Sequence, residues 1–497
     1  MKKNSLTTAV VAGIAGVAGF AGLANAVDLN PDGLGQVLIY PYYTVNKGQD
    51  TLLSVVNTDS AHGKAVKVRF LEGYNSREVL DFNLFLSPND VWTARVSQLS
   101  DAGGAAVYTS DHSCTTPAIP STGVPFSTAA FDGSPGGPYA PVLSDKGPKT
   151  ADRTREGYLE LISMGDIIPG SDLDDAVTHD QNGTPNGGMP ACGAPTKGTN
   201  PGGDLSAPTG GLFGSGAIVN GGQGTFYTYN ADAIDGFTSI PKFSSSGLLT
   251  PSLKDANTSN SSVANGAVAY IFAAGGKLIT LDYAQGIDAV SAVFTSDTLY
   301  NEFLVNSNIG ASTDWIITFP TKRFYVDPYY VGSTAVAPFV ETFSKNIAGQ
   351  SNVEVVPTLY DREEGFTTAG DIFSPPTSHP SALPYEVNAI SFLAGSDANA
   401  GKVSGVFGST LVSNIPPYGD SGWMRFDLAS RDGGAHKLRA DVNGDVVHGL
   451  PATGFMAYNL VNANNGASGV LANYGGVFRH RASRTCANAT TTDGTCS

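Results

Sequence analysis

The strongest constraint on this chain lies between Gly35 and Ser97, where five runs of strand length follow one another with a period of two. Residues 36–43, 51–57, 64–71, 79–86 and 91–96 are separated by turn-forming clusters: Asn46-Lys47-Gly48, the stretches 59–63 and 73–76, and Ser87-Pro88-Asn89-Asp90. Val66, Val68 and Phe70 alternate with Lys67 and Arg69, while Leu80, Phe82, Leu84 and Leu86 alternate with Asp81 and Asn83. Neighbouring side chains of a strand point to opposite faces, so the pattern predicts one face on a core and the other in water. Charges inside the alternation also keep an edge strand from pairing with a neighbour. Short strands at regular spacing, punctuated by turns, predict an all-β fold built from immunoglobulin-like β-sandwiches.

Residues 110–148 lose the alternation to Pro, Gly, Ser and Thr; 157–164 returns as a strand, and 169–208 is a second long excursion. Strand character resumes at 216–220 and 225–230, before a polar Ser/Asn stretch over 244–262. Residues 264–305 carry the helical potential: 288–293 and 297–304 fit short helices, with Asp288 and Ser296 or Asp297 as caps, and 269–273 and 277–282 fit strands equally well. β signals follow at 314–319, 323–330, 352–359, 386–392, 423–428 and 453–461. The expected organisation is a leader over 1–26, sandwich strands over 27–110, a loop-rich insertion with a few strands over 111–262, a β-rich domain over 263–480 and a disulfide-closed tail over 481–497. Tyr40-Pro41-Tyr42-Tyr43 is echoed by Asp327-Pro328-Tyr329-Tyr330, with Val66 and Val68 at the offset of Val353 and Val355. The echo suits two related sandwiches, and is short enough for chance.

Lys2 and Lys3, the apolar run 9–23 and Ala24-Asn25-Ala26 have the form of a secretory leader cleaved after Ala26. No later stretch offers about 18 unbroken apolar residues, so no second span is expected. Without the leader, 26 basic residues face 44 acidic ones, a formal charge of −18. Such a surface repels phosphate backbones, which excludes nucleic acid as an expected partner. An oxidising compartment makes disulfides the default for Cys114, Cys192, Cys486 and Cys496. Four cysteines allow three pairings; proximity favours Cys486 with Cys496, and therefore Cys114 with Cys192.

Several strings imitate chemistry. Gly419-Asp420-Ser421-Gly422 matches the core of a trypsin-like nucleophile motif but continues with Trp423 and Met424, and His62, in a turn-like setting, is a poor base. Leu450-Pro451-Ala452-Thr453-Gly454 matches a sorting motif in letters, yet asparagines interrupt what should be an apolar segment. The loop at 28–33 copies the start of an EF-hand but has Ile39 where the bidentate Glu belongs, and 441–445 reads equally as a hairpin turn. Asp172, Asp174, Asp175 and Asp180 are the better calcium candidate, against the alternative of a solvated acidic loop. Asp361, Glu363 and Glu364 form the densest carboxylate group, and glycoside hydrolysis would need such a carboxylate facing a second one across a cleft. No metal-protease, P-loop or dinucleotide spacing is present. Tyr40, Tyr42, Tyr43, Trp92, Trp315, Phe324, Tyr325, Tyr329 and Tyr330 sit in or beside strands, where they pack in a core or, if exposed, bind a sugar or protein.

Residues 81–92 (DFNLFLSPNDVW) and 313–322 (TDWIITFPTK) resemble runs in uncharacterised secreted cell-surface proteins of Gram-negative bacteria. The resemblance implies an exported location and a β-rich architecture, and carries no catalytic residue. The expectation is a cell-surface, extracellular or periplasmic protein, structural or adhesive and not an enzyme, self-assembling or holding a surface glycan or protein. A carbohydrate-binding module is the alternative, which predicts a planar row of exposed aromatics; a hydrolase on a β scaffold is a more distant one. No cofactor beyond calcium is implied.

Overall fold

All five N-terminal runs are strands within two residues of the expected bounds: β1 (Val37–Thr44), β2 (Asp50–Asn57), β3 (Gly63–Glu72), β4 (Glu78–Leu86) and β5 (Val91–Gln98). The computed structural model describes residues 26–100, 103–134, 146–179, 189–192, 201–343, 348–368, 382–392, 403–462, 472–488 and 496. The leader up to Asn25 and Asp180 lie outside these residues. The chain continues through β6 (Ala105–Tyr108), β7 (Cys114–Thr116), β8 (Glu156–Ile167), helix α1 (Asp172–Val177), β9 (Leu212–Asn220), β10 (Thr225–Asn230) and β11 (Asp232–Asp235). Two sheets result. Sheet A runs Asp28–Leu29, β11, β1, β8, β3, β4, β7, and sheet B runs β10, β9, β2, β5, β6, Val124–Pro125. All their pairings are antiparallel. Between them lies a core containing Leu38, Tyr40, Val66, Val68, Leu84, Trp92 and Leu161.

Two expectations change here. Residues 111–262 are not an insertion: they supply β8, which sits between β1 and β3 at the centre of sheet A, and also the sandwich strands β7, β9, β10 and β11. Tyr158, Leu159, Leu161, Ile162 and Met164 make β8 apolar on both faces, the mark of a strand covered on both sides. Nor do Lys67 and Arg69 face water. Both are buried, as is Lys64; Lys67 pairs with Asp81, and Arg69 with Glu78 at 2.8 Å. A polar segment lies over them: Lys67 Nζ donates to the Ser245 carbonyl (2.9 Å), Asn83 to that of Ser244 (2.9 Å), and Gly247 N–H to Asp81. The alternation therefore separates an apolar core from a second, ion-paired layer beneath a strap.

The C-terminal half contributes a hairpin of β12 (Ala267–Phe272) and β13 (Leu278–Tyr283), then helix α2 (Gly286–Phe294). It continues with β14 (Thr298–Leu304), β15 (Ala311–Thr318), β16 (Val356–Asp361), β17 (Phe366–Thr368), β18 (Val387–Phe392) and β19 (Val412–Ile415). Last come β20 (Ser421–Asp427), β21 (Thr453–Asn462), β22 (Ala472–Arg479), β23 (Arg481–Ser483) and β24 (Cys486–Asn488). Sheet C has the order β17, β16, β20, β14, β23, and sheet D the order β19, β18, β15, β21, β22. Only β18 and β19 pair in parallel within them. Of the two helices allowed over 264–305, the first forms and the second is strand β14. The expected strand at 323–330 is instead two helical turns, α3 (Arg323–Val326) and α4 (Pro328–Val331), with Asp327 capping the second through its contact to Tyr329 N–H (2.9 Å). Pro328 lacks a ladder donor and suits the first turn of a helix. Tyr40–Tyr43, by contrast, is central strand, so the two echoed strings occupy different elements. The tail is also woven in: β23 pairs with β14, and β24 with 445–447.

A buried polar seam joins the halves. Arg77 pairs with Asp327 (2.7 Å), Arg323 with Glu160 (2.8 Å) and Ser76 Oγ with Glu386 (3.0 Å). Glu156 accepts from Thr410 N–H across it, while within the C-terminal half Asp314 accepts from the N–H groups of Gly405, Val406 and Phe407. Both expected disulfides are present, Cys114–Cys192 and Cys486–Cys496.

Candidate functional site

The sequence-level candidates mostly take structural roles. Asp172, Asp174 and Asp175 form the first turn of α1, where carboxylates suit the helix dipole; Ser171 caps it, and Asp174 accepts from Gly170 N–H (2.9 Å). The flexible ligand loop expected there is a helix end. Asp361 accepts the N–H groups of Glu363 and Gly365, both at 2.8 Å, which makes the Asp361–Glu364 group a turn with Arg362 bridging to Asp420 (2.9 Å). Ser421 turns its hydroxyl to Asp420 (3.4 Å), whereas His62 contacts Asp59 (3.1 Å) on the first sandwich. Leu450 and Pro451 are buried in a pairing with Thr295 and Ser296, so the sorting-like string is part of the fold. Asp441 accepts from Asn443 and Asp445 N–H groups, a turn.

Among the described residues, ligand atoms converge at Asp59, His62 and Asp166. Lys64 Nζ already lies between the carboxylates, 3.0 Å from Asp59 and 2.8 Å from Asp166. Its ammonium supplies the positive charge that a metal would bring. The seam holds two perturbed groups: burial pushes the Glu386 carboxyl up to about 7, and burial pushes the Lys322 ammonium down to about 8. Both side chains are fully buried. A group at such a pKa does acid–base work only where a substrate can reach it.

Of the aromatics singled out in the sequence, Tyr40, Tyr42, Tyr43, Trp92, Trp315, Phe324 and Tyr325 are core. The exposed row lies elsewhere, on sheet C. Leu299, Asn301 and Phe303 of β14 face inward and Glu302 outward; Met424 and Phe426 of β20 face inward, Trp423 and Arg425 outward. Register then aligns the outward residues across four strands, Phe366 opposite Tyr360, Tyr360 opposite Trp423, and Trp423 opposite Glu302. One step along, Thr358, Arg425, Tyr300 and Arg481 form a second row.

The ring geometry decides what this face can do. Tyr360 and Trp423 stack with centroids 4.2 Å apart and planes 6° apart. Phe366 tilts against Tyr360 at 5.8 Å, and Tyr300 against Trp423 at 6.4 Å. Neighbouring strands are themselves about 4.8 Å apart, so parallel rings at this spacing stand on edge instead of lying flat. The result is a ridge, not the planar row that a sugar-stacking platform requires. Phe366 is 63% exposed and Trp423 39%. Ring edges carry the positive end of the aromatic quadrupole, and Arg425, Arg481 and Arg362 add full charges beside them. Carboxylates stand among them: Glu302 ends the first row, Asp420 pairs with Arg362 (2.9 Å) and Asp427 lies 4.0 Å from Arg425, so the face carries both signs of charge.

Comparison with protein-family models, curated proteins and solved structures gives no match for this chain. The ridge was legible in part: the alternation Trp423-Met424-Arg425-Phe426 puts an indole and a guanidinium on the face opposite two core residues. The register that brings Phe366, Tyr360 and Tyr300 beside them is set by strand order, which a single run does not encode.

Proposed function

We propose that this chain is an exported, non-catalytic adhesive protein, built of immunoglobulin-like sandwiches, that holds a protein partner at or beyond the cell envelope through the ridge on sheet C. One observation carries the reading: exposed Phe366 and Trp423 in register with half-buried Tyr360, beside Arg425, Arg481 and half-buried Tyr300 in the next row. Trp, Tyr and Arg are the residue types that dominate binding energy at interfaces. The leader-like N-terminus, two disulfides and the likeness to secreted cell-surface proteins support the location. No described helix is long and apolar enough to cross a membrane.

The test has two arms. The full chain, expressed in a Gram-negative host, should be recovered outside the cytoplasm and shortened by its leader; cytoplasmic retention overturns the location. The purified mature protein should co-sediment with cell envelopes at low salt, and a Trp423→Ser/Tyr360→Ser variant should stay in solution. Equal pelleting of the two proteins overturns the role of the ridge.

A further inference from the structure

A separate groove lies on the other sandwich. It holds about 650 Å³ on the solvent face of sheet B, lined from β2, β5, β9 and β10 and by residues 108–110 and 121. Strand alternation and register give its floor two transverse rows. The first is Thr228, Ala217, Leu52, Arg95 and Tyr108; the second is Ser215, Ser54 and Thr93. Ser110 and Ser121 add two hydroxyls from the segment that follows β6. Phe226, 60% exposed, stands on β10, and Tyr108 on β6, so an aromatic ring marks either side of the hydroxyl field. Four strand spacings separate those two strands, roughly 19 Å of ladder.

Charge makes the groove distinctive. Although acidic residues outnumber basic ones 44 to 28, no carboxylate lines it among the described residues, and Arg95 is the one charged side chain of that lining. The nearby Asp111 is engaged otherwise, accepting from Thr93 N–H (3.1 Å) and Ser113 Oγ (2.7 Å). Arginines elsewhere, such as Arg69, Arg77, Arg153 and Arg323, close ion pairs with carboxylates; Arg95 closes none and instead lies over the Tyr108 ring at 4.8 Å. Stacking of this kind holds a guanidinium plane in place while leaving its N–H fork open.

We propose that this groove binds a carboxylate-bearing glycan, a uronic-acid polysaccharide chain lying across β10, β9, β2, β5 and β6. Arg95, backed by the Tyr108 ring, takes a sugar carboxylate in bidentate fashion, the Ser54, Ser215 and Thr228 hydroxyls exchange hydrogen bonds with ring hydroxyls, and Phe226 covers an apolar sugar face. The site is separate from the ridge and does not depend on it.

The test uses the mature protein and a galacturonic acid hexamer in titration calorimetry, with the fully methyl-esterified hexamer as a neutral chain of the same shape. The acid form should bind, and the ester about tenfold more weakly or worse, because it loses a charge-assisted pair. Arg95→Gln should weaken binding of the acid about tenfold with no loss for the ester, and Phe226→Ala should weaken both. Unfolding midpoints of the variants check that the sheet is intact. The Trp423→Ser/Tyr360→Ser variant should bind the hexamer as the wild type does, which separates failure of this site from failure of the ridge. Equal affinity for acid and ester, indifference to Arg95→Gln, or no binding at millimolar hexamer overturns the proposal.

Discussion

Protonating His480 should cost this protein about 3 kcal/mol, and the cost can be isolated. The ring lies between β22 and β23, packed against Trp315 at 4.8 Å. Its Nε2 donates to the Ile316 carbonyl (3.0 Å), and its Nδ1 accepts from Asn301 Nδ2 (3.1 Å), an arrangement that fits only the neutral ring. Asn301 cannot turn to accommodate a second proton without losing its bond to the Phe478 carbonyl (3.0 Å) and the contact of its oxygen with Glu302 N–H (3.0 Å). Burial pushes the pKa down to about 4 from 6.5, with the neighbouring Arg479 charge acting the same way. A depressed folded value means that the group's contribution is complete above pH 6.5 and lost as pH falls through about 4. A shift from 6.5 to about 4 corresponds to about 3 kcal/mol, at about 1.4 kcal/mol for each pH unit. The assay is guanidinium unfolding of wild type and His480→Gln at pH 7 and pH 4. Taking the difference between the two proteins cancels every other titration. The wild type should lose about 3 kcal/mol more than the variant over that interval. Losses equal to within about 0.5 kcal/mol would refute a neutral, desolvated ring.

The remaining predictions follow from the seam and the bridges. Glu386, raised from 4.5 to about 7 by burial, contributes stability that is complete below pH 4.5 and lost as pH rises through 7. Relative to Glu386→Gln, wild-type stability measured by urea unfolding should therefore fall by about 3 kcal/mol across that window. Arg323→Met strands the buried Glu160 carboxylate and should cost about 3–5 kcal/mol by chemical denaturation, whereas loss of the exposed Arg362–Asp420 pair should cost under about 1 kcal/mol. Removing Cys114–Cys192, which spans 78 residues, should lower stability by about 4.5 kcal/mol, against about 3 kcal/mol for Cys486–Cys496, which spans 10. Paired Cys→Ser variants followed by thermal unfolding check the order.

What could be read from the sequence follows the range of the interactions responsible. Period-two alternation is local, so β1 to β5 were legible nearly to the residue. Which of those strands share a sheet is not local: β8 arrives some 80 residues after β4 and then takes the place between β1 and β3. The charges on β3 illustrate the same limit. Lys67 and Arg69 read as a wet face because their partners Asp81 and Glu78 lie on the neighbouring strand and their cover comes from Ser244 to Leu248. The strand expected at 323–330 failed because Pro328 and the cap at Asp327 outweigh aromatic β propensity. Both disulfides were legible because sequence proximity picked the right pairing. The ridge was only half legible, since an outward indole is visible in one strand but its stack requires three others.

The pairing of Arg77 with Asp327 has a consequence for how the chain can be divided. A fragment ending near residue 240 would hold every strand of sheets A and B, yet Arg77 and Glu160 would each lack the counter-charge that residues 323–327 deliver. Evolution or engineering that shuffled the first sandwich into another protein would have to carry this electrostatic debt along, or erase it with apolar substitutions. The two sandwiches are thus a heritable unit, joined less by the peptide between them than by ion pairs that cross the seam and by shared apolar contacts such as Tyr42 on Phe407 and Tyr229 on Phe455.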